Sequence, residues 1–142
     1  MMVERVPGYY EEVAHTADVC LRVRAQTLEA LYVTAAQGMF ALMRWRPAGP
    51  EYPVRESLRL EAADLETLLV DWLSELLYLA EQRGARWVTF DLAFTAPVAL
   101  AAQVEGVTGW LPERIVKAVT YHGLRLHQTD DGSWETFITF DV

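Results

Sequence analysis

Val19-Cys-Leu-Arg-Val-Arg-Ala25, followed at once by Thr27-Leu-Glu-Ala-Leu-Tyr32, decides the fold class. In the first stretch apolar residues take every second position, the period of a strand covered on one face. Cys20 then falls on the face opposite Leu21 and Val23. In the second stretch the period changes. Thr27 is placed as a helix N-cap, and Leu28, Leu31, Tyr32, Ala35, Met39, Leu42 and Met43 recur three and four apart, as one helical face does.

Upstream, Tyr9 to Val13 has the length of a short edge strand, joined to Val19–Ala25 by the turn His15-Thr-Ala-Asp18. Downstream, the helix has to stop before Pro47, and Arg46–Pro53 is a stiff loop, too short to link two domains. Val54–Glu61 alternates as a strand, with Leu58 and Leu60 on one face and Arg59 and Glu61 on the other. Asp64 caps a second helix that runs to about Arg83, with Gly84 as its stop. Leu65, Leu68, Leu69, Trp72, Leu76 and Leu79 give that helix a wide apolar face, so it is expected to be the central helix of the core. Asp71 and Glu75, four apart, are taken as its solvated stripe.

Arg86–Phe94 and Val98–Val107 are alternating strands divided by Thr95-Ala-Pro97, and Thr108–Val116 is a connection with a helical turn after Pro112. Lys117–Gln128 and Trp134–Val142 flank the hairpin signal Thr129-Asp-Asp-Gly-Ser133. These elements predict a single domain over residues 1–142. The expected architecture is a two-layer α+β fold, with two main helices packed on one face of a largely antiparallel sheet.

The net charge of −8 argues against a broad nucleic-acid surface, because phosphate backbones would be repelled. It leaves room for a basic protein partner or a cation. No apolar run is long enough to span a bilayer, and the first residues lack the basic start and apolar core of a signal peptide; the expected location is cytoplasmic. Cys20, the single cysteine, has no activating motif around it and is taken as structural. Of the twelve basic residues only Lys117 is a lysine, so a compact ammonium is either required there or a chance survivor of an arginine-rich composition.

Two places gather chemistry. His15, Thr16 and Asp18 sit where a loop enters a strand, as turn formers or as a site. If Asp131-Gly132 forms a two-residue turn, His122 falls opposite Asp141, on a face shared with Thr120, Thr139, Leu124, Leu126 and Phe137. That face is expected to look into the core. A bulge at Gly123 would shift everything beyond it. The terminal carboxylate of Val142 adds one more oxygen. Phosphate loop, dinucleotide fingerprint, serine elbow and zinc spacing are all missing. Asp18 and Asp141 together would be an oxygen-rich site for a hard cation, calcium, magnesium or manganese.

His15-Thr-Ala-Asp18, the capped helix after Thr27, Asp64–Tyr78, Lys117-Ala-Val-Thr-Tyr-His-Gly123 and Phe140-Asp-Val142 stand in the order found in the archease family, which the chain resembles over nearly its whole length. The resemblance implies an activator of an RtcB-type RNA ligase in tRNA splicing and RNA repair. Such a protein promotes guanylylation of the ligase with GTP and allows multiple turnover, with no catalytic residues of its own. It also implies metal binding at Asp18 and Asp141 and a required lysine at Lys117, with His15 and His122 inside the matching motifs. Two other readings stay open. One is a stand-alone metal-dependent phosphoesterase with His122 as base. The other is a general chaperone or nucleic-acid-processing adaptor.

Overall fold

A computed structural model describes residues 8–13, 18–121 and 123–142. Expectations resting on His15, Thr16 and His122 therefore lie outside the described residues. The chain enters as β1 (Gly8–Val13) and β2 (Val19–Ala25), the antiparallel pair expected from the alternation. It continues into α1 (Leu28–Leu42), whose first turn is held by Thr27, whose hydroxyl accepts the Ala30 N–H at 3.1 Å. After α1 come β3 (Trp45–Pro47), β4 (Pro53–Glu61) and α2 (Leu65–Arg83). Asp64 caps α2 by accepting the Thr67 N–H at 2.7 Å, and Gly84 ends it at φ 59, a left-handed conformation that glycine adopts without a Cβ penalty. The remaining strands are β5 (Ala85–Ala96), β6 (Ala99–Thr108), β7 (Trp110–Pro112), β8 (Ala118–Thr120), β9 (His127–Gln128) and β10 (Trp134–Asp141).

The fold is α+β with two helices and antiparallel pairing throughout the described strands. The strands do not form one sheet, however. β1, β2, β10 and β8 lie side by side with β9 also on β10; β4, β6 and β5 make a second sheet; and β3 pairs with β7 as a separate ribbon. The loop after α1 and the Thr108–Val116 connection are thus partly this ribbon, and the helical turn expected after Pro112 is absent: residues 113–116 are a bend and irregular chain, not helix. Arg44, at φ 54, turns the chain out of α1 and into the ribbon. Both helices touch both larger sheets: α1 packs on β1, β2, β10 and β5, and α2 on β4, β5 and β8.

The expectation that α2 is the central helix is corrected by burial. Eleven residues of α1 are buried, against seven of the longer α2. The reason is size. Ala30, Ala35, Ala36 and Gly38 let the sheet approach α1 closely; a Cβ on Gly38 would come within 2.7 Å of the Tyr10 ring. The leucine-rich α2 instead leaves Leu77 and Leu79 partly exposed and Tyr78 exposed.

Where polar atoms are buried between the helices they are matched. The Trp72 indole N–H donates to the Tyr32 carbonyl at 2.9 Å, and the Tyr32 hydroxyl to the Leu65 carbonyl at 2.5 Å. Burial, with Glu66 and Asp64 nearby, pushes the Tyr32 phenol far above its ordinary range, so it stays a donor. Phe90 of β5 completes this centre, edge-on to Trp72 and stacked with Phe40.

Two outcomes follow. Leu31→Ala, in the fully buried face of α1, should lower unfolding free energy by about 2–5 kcal/mol. Leu79→Ala in α2 should cost clearly less, both read by urea denaturation. The second concerns acid. The backbone N–H of Thr67 holds the Asp64 carboxyl below its ordinary pKa. A depressed carboxyl stabilises the fold above its unfolded pKa and loses that contribution as pH falls through the folded value. Asp64→Asn should therefore keep the cap and flatten the loss of melting temperature below pH 4, whereas Asp64→Ala should lower the melting temperature already at pH 7.

Candidate functional site

The ladder between β2 and β10 runs from Trp134↔Ala25 to Phe140↔Val19. The next residues beyond its last pair are Asp141 on one strand and Asp18 on the other. The two carboxylate residues singled out from the sequence are therefore neighbours at one end of the sheet, Asp141 exposed and Asp18 half-buried. On β10 the core takes Thr136, Ile138 and Phe140, while Phe137 is 44% exposed and Asp141 lies with it on the outer face. The expectation of a core-facing row through Phe137 and Asp141 is thereby reversed. Thr120, Thr139, Phe137 and Asp141 do share a face, the outer one, whereas Leu124 and Leu126 pack toward the core, so the expected row is also divided.

The expected two-residue turn is also corrected. Gln128 pairs with Trp134, leaving a five-residue loop, Thr129–Ser133. Asp131 organises it by accepting the Ser133 N–H at 3.0 Å and the Thr129 hydroxyl at 2.5 Å, and these bonds hold its carboxyl well below the usual range. Farther along, β10 advances four residues from Glu135 to Thr139 while its partner runs seven, from His127 to Thr120. The segment between β8 and β9 absorbs the difference, with Gly123 at φ 71 as the predicted irregularity. In consequence Asp141 pairs with Ala118, not with residue 122.

This shift brings the Lys117 backbone beside Asp141, a proximity that the sequence pattern did not require. The Lys117 backbone N–H donates to the Asp141 carbonyl at 2.7 Å, and the Lys117 side chain is exposed. The approach to Lys117 is fixed from the other side by α1. At the end of that helix the Met43 carbonyl accepts from the Glu113 N–H at 3.0 Å and the Arg114 N–H at 2.9 Å. These bonds satisfy helix-end groups that would otherwise be orphaned. On α2, Asp71 accepts the Tyr121 hydroxyl at 3.4 Å, so this residue of the expected solvated stripe holds the chain just past β8. Val142, beside Asp141, is 37% exposed.

Farther from this end the outer face is an ion-pair field. Arg22 bridges Glu11 at 3.1 Å and Glu135 at 2.8 Å, Arg24 meets Asp131 at 2.7 Å, and His127 lies 3.4 Å from Glu135. Among the described residues no cationic side chain is within salt-bridge distance of Asp18 or Asp141. Like charges on adjacent strands repel, so a cation at this end of the sheet would relieve that repulsion. The donors are hard oxygens, suited to calcium, magnesium or manganese. They are also few. No group of three or more His, Cys, Asp or Glu among the described residues is placed to hold a metal, so water or another molecule would complete the shell. Cys20 is buried, facing Thr139 and Val13 across the ladders, as expected of a structural thiol. No described helix is long and apolar enough to cross a membrane.

The chain is 34% identical to the protein archease of Methanosarcina barkeri over 94% of its own length and 95% of the relative's. It is 36% identical to that of Methanopyrus kandleri, over 94% and 99%. A solution structure of a Methanobacterium thermoautotrophicum protein superposes with a TM-score of 0.64 at 25% identity, covering 94% of this chain and 98% of that one. A Thermotoga maritima crystal structure, described as an archease and possible chaperone, shares the fold with a TM-score of 0.62 at 18% identity, covering 93% and 96%. The model of the Archease protein family (MTH1598/TM1083) matches residues 10–142, and the chain belongs to that family.

Proposed function

We propose that this protein is a non-catalytic cofactor of an RtcB-type RNA ligase in tRNA splicing and RNA repair, promoting guanylylation of the ligase with GTP and its multiple turnover. The observation that carries the reading is the neighbouring pair Asp18 and Asp141 at the end of the β2–β10 ladder, with the Lys117 amide bonded to Asp141. In this proposal Asp18, Asp141 and an oxygen of Val142 hold a divalent ion, calcium, magnesium or manganese. The bound ion would supply a local positive charge for phosphate oxygens near the ligase's nucleotide site. Lys117 contacts phosphate or the partner, and His15 and His122 belong to the motifs around the site. The GTP chemistry occurs on the ligase.

Two features favour an activator over a stand-alone phosphoesterase. The described protein donors are too few for a hydrolytic metal centre, and the sequence has no nucleophile motif. The net charge of −8 favours docking beside a basic RNA channel and disfavours holding RNA directly. The proposed place of work is the cytoplasm, where such a ligase acts on RNA.

The isolated protein should turn over neither GTP nor phosphoesters, and should accelerate guanylylation of the purified ligase. Asp18→Ala and Asp141→Ala should each fold, by circular dichroism, and abolish that acceleration; folded variants that still accelerate it would sink the assignment. Independently of activity, manganese at a hundred times its dissociation constant should stabilise the protein by about 2.7 kcal/mol in thermal melts, and the Asp18→Asn/Asp141→Asn double variant should show no such rise.

A further inference from the structure

Lys117 borders a groove of about 700 Å³ between the C-terminal half of α2, the β3–β7 ribbon and the segment that enters β8. Its walls are mostly apolar or aromatic. Among its lining residues Ser74 and Tyr78 bring hydroxyls, Glu81 a carboxylate and Lys117 an ammonium, on an otherwise apolar or aromatic surface. At its rim Tyr78 is 57% exposed, Leu111 48% and Ile115 65%. Grouped exposed apolar side chains of this kind mark interaction surfaces, and a tyrosine among aliphatics is typical of the anchoring part of one.

The occupant is narrowed by what the groove lacks and what it holds. A small polar ligand would need several convergent polar groups, and few are present. A second copy of the chain would bring −8 against −8. The Lys117 ammonium has no carboxylate within salt-bridge distance among the described residues. Glu81 is the one carboxylate in the lining and Lys117 the one cation, so within the groove an acidic group is favoured beside Lys117 alone. Lys117 also joins the groove to the Asp18–Asp141 end of the sheet through its bond to Asp141.

We infer that the groove seats a segment of the partner ligase carrying an aliphatic or aromatic side chain flanked by a carboxylate. The apolar side chain packs beside Leu111 and Ile115, and the carboxylate meets Lys117. Affinity for the ligase then comes largely from the groove, and its activation from the carboxylate pair beside it. This rests on the proposed function, since it names the same partner.

The test is a binding titration of labelled protein against the purified ligase. Ile115→Asp should weaken affinity at least about tenfold, Leu111→Asp should act in the same direction, and Ile115→Lys should weaken it only about threefold, because added positive charge suits an acidic occupant. Val88→Asp, an equally exposed position outside the groove, should bind within about twofold of the unsubstituted protein. All these positions are exposed, and melting temperatures verify that the variants fold. Aspartate variants that bind like the unsubstituted protein overturn the groove assignment. Equal losses for Ile115→Asp and Ile115→Lys overturn the acidic occupant. If the unsubstituted protein itself does not bind, the ligase is the wrong partner and both readings fall; normal binding by the groove variants with intact activation removes only the groove.

Discussion

Backbone hydrogen bonding between β2 and β10 runs unbroken to Phe140↔Val19, and the arrangement of both ends of the molecule depends on it. At one end it sets Glu135 beside Arg22, which the carboxylates of Glu11 and Glu135 hold strongly protonated. At the other it delivers two aspartates from distant parts of the chain to adjacent positions. On its far side β10 carries β8, and so fixes Lys117 relative to the same pair. A strand that pairs on both sides is the least free to slip, because a one-residue slip would turn Ile138 and Phe140 out of the core.

The helices supply the support beneath that sheet. α1 works through smallness: alanines and Gly38 give up side-chain area for close approach, and dense packing against the sheet is the result. α2 works through its tryptophan and leucines and keeps one side partly open. That openness, set against the ribbon held to the end of α1, creates the groove.

Local signals in the sequence were legible to the residue. Thr27, Asp64 and Gly84 mark helix ends through their own side chains or lack of one, and the alternation of Val19–Ala25 marks its strand. What was not legible is non-local. Nothing in Pro47 or Pro112 announces that they belong to paired strands, and no periodicity distinguishes one sheet from three. The core rank of the helices is not legible because the wide face of large leucines overstates α2, whereas the burial of alanine and glycine in α1 depends on what comes close. The candidate site was half legible. Asp18 and Asp141 could be named from motifs, but the nearness of Lys117 depends on a register change around Gly123 that turn chemistry alone does not fix. Leu111 and Ile115 carried a faint signal, branched aliphatics in a connection with no strand or helix face to serve.

The long reach of the β2–β10 ladder has a consequence in time. Arg22 and Glu135 are 113 residues apart in sequence, so their strands must close a loop containing most of the chain. Closing so long a loop adds little to the equilibrium penalty, about 0.6 kcal/mol per doubling, but such distant pairings form slowly. Until β2 and β10 pair, Asp18 and Asp141 are separate carboxylates. Any molecule that reads the two together recognises a finished protein and passes over one still folding.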